Sequence, residues 1–196
     1  MPATTGDIAI TISPDAAGRL LAHVTEVSDR MSDVRPLGLA IAAVLRATFA
    51  KNIDVGGRPA FVPLSPNTLA SKALRGYPSD PLIGTRALRT SLARMNVKGN
   101  VTYVTADGVV RVGSNLPYAK YQNDGTKPYI INARKGKLLS FTVAGGGRVS
   151  AKRVKHPGIP ARPFMVVQAE DWDAIRLLMK QFASGTMRAA AGKDET

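Results

Sequence analysis

Two histidines, His23 and His156, are the only imidazoles in a chain of 196 residues, and there is no cysteine. Disulfides, thiolate nucleophiles and zinc–thiolate sites are therefore excluded. Neither histidine has a second one at metal-ligand spacing. Both read as ordinary surface or boundary residues, His23 in a helical stretch and His156 beside Lys155. No Ser–His–Asp set can be placed with any specificity. Acids are sparse in the middle of the chain, so a paired-carboxylate hydrolase is hard to build there. Gly145-Gly146-Gly147-Arg148 lacks both the spacing and the Gly-Lys-Ser/Thr end of a phosphate loop. The expectation is a protein that is not an enzyme, with no catalytic residues, no metal and no cofactor.

Charge is the chemistry that remains. The net charge is +13, from 27 basic and 14 acidic residues. Residues 1–35 carry 3 basic and 5 acidic groups, whereas residues 124–156 carry 8 and 1. The basic set there is Lys127, Arg134, Lys135, Lys137, Arg148, Lys152, Arg153 and Lys155. Such a cluster attracts phosphate or an acidic protein surface, or simply keeps a solvated face soluble. Tyr129 is the aromatic placed to stack on a base, but within Tyr-Ile-Ile it reads better as a strand residue, so base-specific readout is poorly supported. Arg134, Lys135, Lys137, Arg148, Lys152, Arg153 and Lys155 are the candidate interface.

The elements that position this set follow from periodicity. Ser13-Pro14-Asp15 starts a helix, with Ala17, Leu20, Leu21, Val24 and Val27 on one face, ending near Ser28. A second helix fits 37–50; it is apolar nearly all round, and so is expected in the core or between subunits. Arg46 and Lys51 lie near its C-terminus, where the dipole favours cations. Ser65-Pro66 opens a short helix to about Arg75, and Thr85 caps another containing Leu88 and Leu92. The period then changes to two: 101–105 and 109–113 form a hairpin about Asp107-Gly108.

The segment from Tyr118 to Met165 reads as strand edges and loops around a basic, glycine-rich loop at 132–156. Residues 129–131 and 138–143 are strands, 148–155 returns as an exposed strand or arm, and 164–167 completes the sheet. A last helix over 170–183 turns Trp172, Ile175, Leu178, Met179 and Phe182 inward. The tail from about 185 frays.

The expected fold class is α+β: one domain over 1–196, with a mostly antiparallel sheet packed by two or three helices and an extended basic loop. A chain of this size buries roughly 70% of its unfolded surface without disulfide or metal. No run of 18 apolar residues occurs, so no membrane span is expected. Met1 to Ser13, with Asp7 and no basic cluster, does not read as a signal peptide.

Several motifs then recur in a recognisable order. They are Pro63-Leu64-Ser65 with Thr68-Leu69 and Lys72; Pro81-Leu82-Ile83-Gly84-Thr85; Val112-Gly113-Ser114; Tyr118-Ala119 with Gln122 and Gly125-Thr126; and Ile159-Pro160-Ala161-Arg162-Pro163-Phe164. Over roughly 36–183 this order resembles the phage virion morphogenesis family, the tail-completion proteins of Mu-like tailed phages, and related neck proteins. The chain departs from that pattern at Gly84-Thr85-Arg86, where the family usually has Asp-Thr-Gly, and at Val62, where a tryptophan is usual. It departs again at 122–126, where a Gln-Phe-Gly turn is usual.

The resemblance implies a structural virion protein acting in tail completion or head–tail joining. It implies a homo-oligomeric ring at the neck or tail end of the virion, assembled in the host cytoplasm beside other neck or tail proteins. No membrane partner is expected, and non-specific proximity to DNA is. The loop at 132–156 is expected to contact another copy or another virion protein. A basic nucleic-acid-binding protein is the alternative, and a minor capsid or scaffold-associated factor a third.

Overall fold

A computed structural model describes residues 14–105, 108–134, 137–143 and 147–187. The expected α+β class holds, but the strands pair off rather than joining one central sheet. In chain order the elements are α1 (Pro14–Ser32), α2 (Arg35–Asp54), α3 (Pro66–Ala73), α4 (Ala87–Ala93), β1 (Asn100–Val104), β2 (Val110–Ser114), α5 (Ala119–Asp124), β3 (Tyr129–Asn132), β4 (Leu139–Thr142), β5 (Arg148–Ala151), β6 (Arg153–His156) and α6 (Ala169–Ala183). The strands form three two-stranded antiparallel ladders, β1–β2, β3–β6 and β4–β5.

α2 is the centre of the molecule. It packs against α4, α6 and the β1–β2 hairpin. Its length and composition would suffice to cross a membrane, which counting continuous apolar residues overlooks. In this fold it is the core helix, burying Ala42, Phe49, Ala50 and Ile53. Phe49 and Ile53 meet Phe61, Leu88, Leu92, Ala119 and Phe164 in one cluster. Fully burying such side chains stabilises by about 1.5–3 kcal/mol each.

Local chemistry sets the helix starts. At α3 the Ser65 hydroxyl accepts from Thr68 N–H (3.2 Å) and Pro66 takes the first turn, the arrangement read from the sequence. At α6 the Asp171 carboxylate accepts from Gln168 N–H (3.0 Å). At α4 Thr85 is not the cap: Arg86 is, in a left-handed conformation (φ 63°) and without a side-chain hydrogen bond.

The β1–β2 hairpin forms in the expected place, with Asn100 opposite Ser114 and Val104 opposite Val110. Thr105 N–H donates to Val109 C=O (3.0 Å) across the turn. Asp107, expected in that turn, lies outside the described residues.

Three expectations are corrected. Residues 164–167 form no strand; they lie beside α2, held by a side chain described below. Within Tyr118–Thr126, the expected strand edges and loops include a short helix, α5, with Ala119 buried. On α6 the inward face is Asp171, Ile175 and Phe182; Trp172 (49% exposed) and Met179 face outward. Asp171 hydrogen-bonds and pairs with Arg58, so the inner stripe starts one residue earlier than hydrophobicity alone suggests.

α1 runs to Ser32, four residues beyond the expected end. Among the described residues nothing covers its apolar stripe: Leu21 is 69% and Val24 55% exposed. Only part of the helix touches α6.

Candidate functional site: a basic arm and its socket

The motifs scattered through the sequence converge on one place. The segment 158–164 passes between α5 and the 62–65 strip, and its polar groups are used on both sides. Arg162 N–H donates to Gln122 C=O (2.9 Å). The buried Arg162 guanidinium donates to Val62 C=O (2.9 Å) and Pro63 C=O (3.1 Å). Two residues on, Phe164 is fully buried in the core. Thr126 N–H donates to Ile159 C=O (2.8 Å), and Ile159 N–H returns to the Thr126 hydroxyl (2.9 Å).

This crossing needs glycine twice. Gly125 has φ 75°, and a Cβ there would stand 2.7 Å from Ile159 O. Gly158 has φ 97°, and its Cβ would overlap Thr126 O. Both are positions where an L side chain is disfavoured and where the backbones meet too closely to admit one.

Asn52 holds the same segment from the other side. It is fully buried, and its Nδ2 donates to Phe164 C=O and Val166 C=O, both at 2.8 Å. Its Oδ1 accepts from Arg58 Nε (2.7 Å). Arg58 continues to Asp171 (2.9 Å) and to Glu170 at the start of α6. Burial pushes the Asp171 carboxyl up, but Gln168 N–H, the Thr48 hydroxyl and the Arg58 guanidinium outweigh it and hold it below its ordinary value.

Beside this latch lies an open cleft of about 660 Å³, lined in part by Leu64, Thr68, Gln122, Pro160 and Arg162. A smaller one of about 220 Å³ shares Leu64, Thr68 and Gln122 and reaches Lys72 and Ile83. Lys72 Nζ donates to Asp80 C=O (2.5 Å) and Ile83 C=O (2.6 Å). Its pKa is lowered, chiefly by burial and further by repulsion from Arg162, against the pull of Asp80. Arg162 is lowered by burial. Both cations serve as clamps on carbonyls that a tight crossing would otherwise leave without donors.

From this socket rises the basic segment, and it is not a loop. β3 pairs with β6 from Tyr129↔His156 to Asn132↔Arg153. β4 pairs with β5 from Leu139↔Ala151 to Thr142↔Arg148. Ala133 N–H donates to Lys152 C=O (2.8 Å), so the two ladders run end to end as one arm. β4 lies beside α3, so the arm leans on the body there.

The arm gathers the predicted cations. Arg134, Lys137, Arg148, Lys152, Arg153 and Lys155 are exposed on it, and Lys127 is exposed at its root. Lys135 lies outside the described residues, as do Gly145 and Gly146 of the glycine run. By register Arg153 and Lys155 share a face with Asn132 and Ile130. Arg148 Nε donates to the Ser140 hydroxyl (2.8 Å), on one face of the second ladder. Exposed Ile130, Phe141 and Val149 are interspersed among these charges.

His156 serves the arm's root. Its ring stacks on Tyr129 at 4.7 Å and 24°, and its Nδ1 accepts from Gly158 N–H (3.1 Å). His23 is exposed on α1. Among the described residues no cluster of three His, Asp or Glu could hold a metal ion.

Sequence reasoning passed over two features. Nothing local in the sequence marks Asn52, whose amide reaches 112 residues along the chain. Arg46 read as a dipole partner, yet its Nε and Nη1 are buried without a hydrogen-bond partner and its pKa is lowered by burial. The available signal was a charge set among Ala43, Ala47 and Ala50 on an apolar helix.

No solved structure matches this chain. It is 27% identical over 153 residues to Mu-like prophage FluMu G protein 2 of Haemophilus influenzae, covering 76% of this chain and 80% of that protein. The sequence profile of the phage virion morphogenesis family matches residues 15–182, so this chain belongs to that family.

Proposed function

We propose that this protein is a non-enzymatic structural component that completes the tail or joins it to the head, acting as a ring at the neck or tail end. The observation that carries the reading is α1: Leu20, Leu21 and Val24 form an apolar stripe that the described residues leave open to solvent. Trp172 and Met179 are also exposed on α6, the helix that α1 touches. Contiguous exposed apolar surface of this kind marks an interface. The occupant proposed is a second copy, in which a different surface receives α1. A contact between unlike patches is heterologous and generates a ring when the rotation closes. Membership of a virion morphogenesis family and similarity to a protein of a Mu-like prophage support this use.

Light scattering and negative-stain imaging of the purified chain test the reading. Closed rings are expected. Leu21→Glu with Val24→Glu should give monomers with stability within about 0.5 kcal/mol of the parent, as exposed positions allow. In infected cells lacking this protein, heads and tails should accumulate unjoined or incomplete. A monomer at high concentration, together with normal virions in its absence, would sink the proposal.

A further inference from the structure

The arm poses a problem that a second copy does not solve. From Gly125 to Ala169 the chain contains no acidic residue. None of the arm's described cations is ion-paired, whereas described carboxylates elsewhere are nearly all engaged: Asp15 with Arg19, Asp54 with Arg89, Asp124 with Lys120, Asp171 with Arg58. Glu26, Asp33, Glu170 and Asp173 are likewise paired within the chain. Only Asp29 and Asp80 are left outside such pairs among the described residues, and the Asp80 charge already acts on Lys72. Moving a carboxylate from its own arginine to a neighbour's exchanges one surface pair for another, and each is worth about 0–1 kcal/mol. Among the described carboxylates the net gain is close to nothing, so they do not supply the arm's counter-charge, which points to a partner other than a second copy.

We infer that the β3–β6/β4–β5 arm binds the phosphate backbone of duplex nucleic acid, without base specificity. A two-stranded antiparallel ribbon is one of the shapes that the major groove admits. At about 3.3 Å per residue the two ladders together span on the order of 25–30 Å. A duplex presents one phosphate charge per about 1.7 Å of axis, so a single-sign ribbon of this length meets a single-sign partner. Acidic protein surfaces usually mix signs, which would leave arm lysines facing lysines. The side chains beside the cations, Ser140, Ser150 and Asn132, are short polar groups that can hydrogen-bond phosphate oxygens. The inference concerns a different surface from the ring proposal and does not depend on it.

The test is fluorescence anisotropy of two labelled 20-bp duplexes of unrelated sequence, titrated with the full chain between 50 and 200 mM salt. The two duplexes should bind alike. With four to five phosphate contacts, affinity should fall by about 10²–10³ across that range, from a slope near −0.9 per contact. Arg148→Ser, Lys152→Ser, Arg153→Ser and Lys155→Ser together should flatten the slope by about three to four units. A charge-matched control, Lys51→Ser, Arg75→Ser, Arg94→Ser and Lys98→Ser, removes four exposed cations elsewhere and should keep the parental slope. Equal losses in both variants would mean a general field rather than a site, and would overturn the inference. Absence of binding by the parent chain at 50 mM salt would also overturn it. Light scattering on the same samples separates the two proposals: the arm variant should still form rings. If it falls to monomers and the parent ignores DNA, the arm belongs to a protein interface and the nucleic-acid reading is wrong.

Discussion

Asn52 offers the sharpest test of how the socket is held. Its side chain is fully buried, donates to Phe164 C=O and Val166 C=O at 2.8 Å, and accepts from Arg58 Nε at 2.7 Å. Asn52→Ala removes all three bonds and leaves two carbonyls and one N–H facing a void. A buried group stripped of its partner costs about 1–3 kcal/mol. Arg58 keeps Glu170 and Asp171, so its share is at the low end. The expected loss is about 3–5 kcal/mol, or roughly 6–20 °C in Tm at about 2–4 °C per kcal/mol for a domain of this size. Urea unfolding followed by circular dichroism measures it. Asn52→Asp is the companion variant: it keeps the acceptor for Arg58 but loses both donors and sets carboxylate oxygen against two carbonyls. It should be at least as damaging as the alanine change, although its volume is nearly unchanged. A cycle with Arg58→Met should show a coupling of about 0.5–3 kcal/mol. If Asn52→Ala costs less than about 1 kcal/mol, or Asn52→Asp is tolerated, the latch is packing alone and the hydrogen-bond argument fails.

Gly158→Ala should destabilise by about 2–4 kcal/mol, combining a left-handed backbone penalty of about 1–2 kcal/mol with loss of a Thr126–Ile159 bond; hydrogen exchange should show the β3–β6 root opening first, and uniform exchange would count against it. Arg46→Met should stabilise the isolated protein by about 1 kcal/mol, because it removes buried donors that have no partner; a loss of stability would show that the guanidinium is satisfied in solution. Stability should decline in acid: Asp54, held low by the Arg89 hydrogen bond, and Asp171 both have depressed folded pKa values. A depressed carboxylate contributes fully above its unfolded value of about 3.9 and loses that contribution as pH falls through the folded value. Asp33, lowered to about 2 by its hydrogen bonds from Arg35, has a half-exposed side chain and should add little. Melting curves from pH 7 to pH 2 should therefore fall mainly below pH 4, and Arg89→Met should shrink the fall.

Local patterns reached a definite depth into this protein. The α3 cap, the β1–β2 hairpin, the apolar course of α2 and the clustering of cations over 124–156 were legible because each depends on neighbours within a few residues. The family order was legible too, but not its meaning: Gly125, Gly158 and Arg162 acquire their roles only where two distant backbones cross. Likewise 129–131, 138–143 and 148–155 read as strands or an arm around a loop at 132–156, but nothing in the composition says which strand pairs with which. Pairing is a long-range choice, settled here when the Gly125–Thr126 and Gly158–Ile159 segments clamp together and bring β3 against β6. Hydrophobic spacing placed Trp172 and Met179 on a helix face, but only tertiary packing decides which face is covered. The sequence by itself determined the α+β class, the acid-free arm and the family. The three-dimensional fold alone decided that the arm is a ribbon, that Asn52 anchors the 164–166 segment, and that α1 keeps an apolar face uncovered by the described residues.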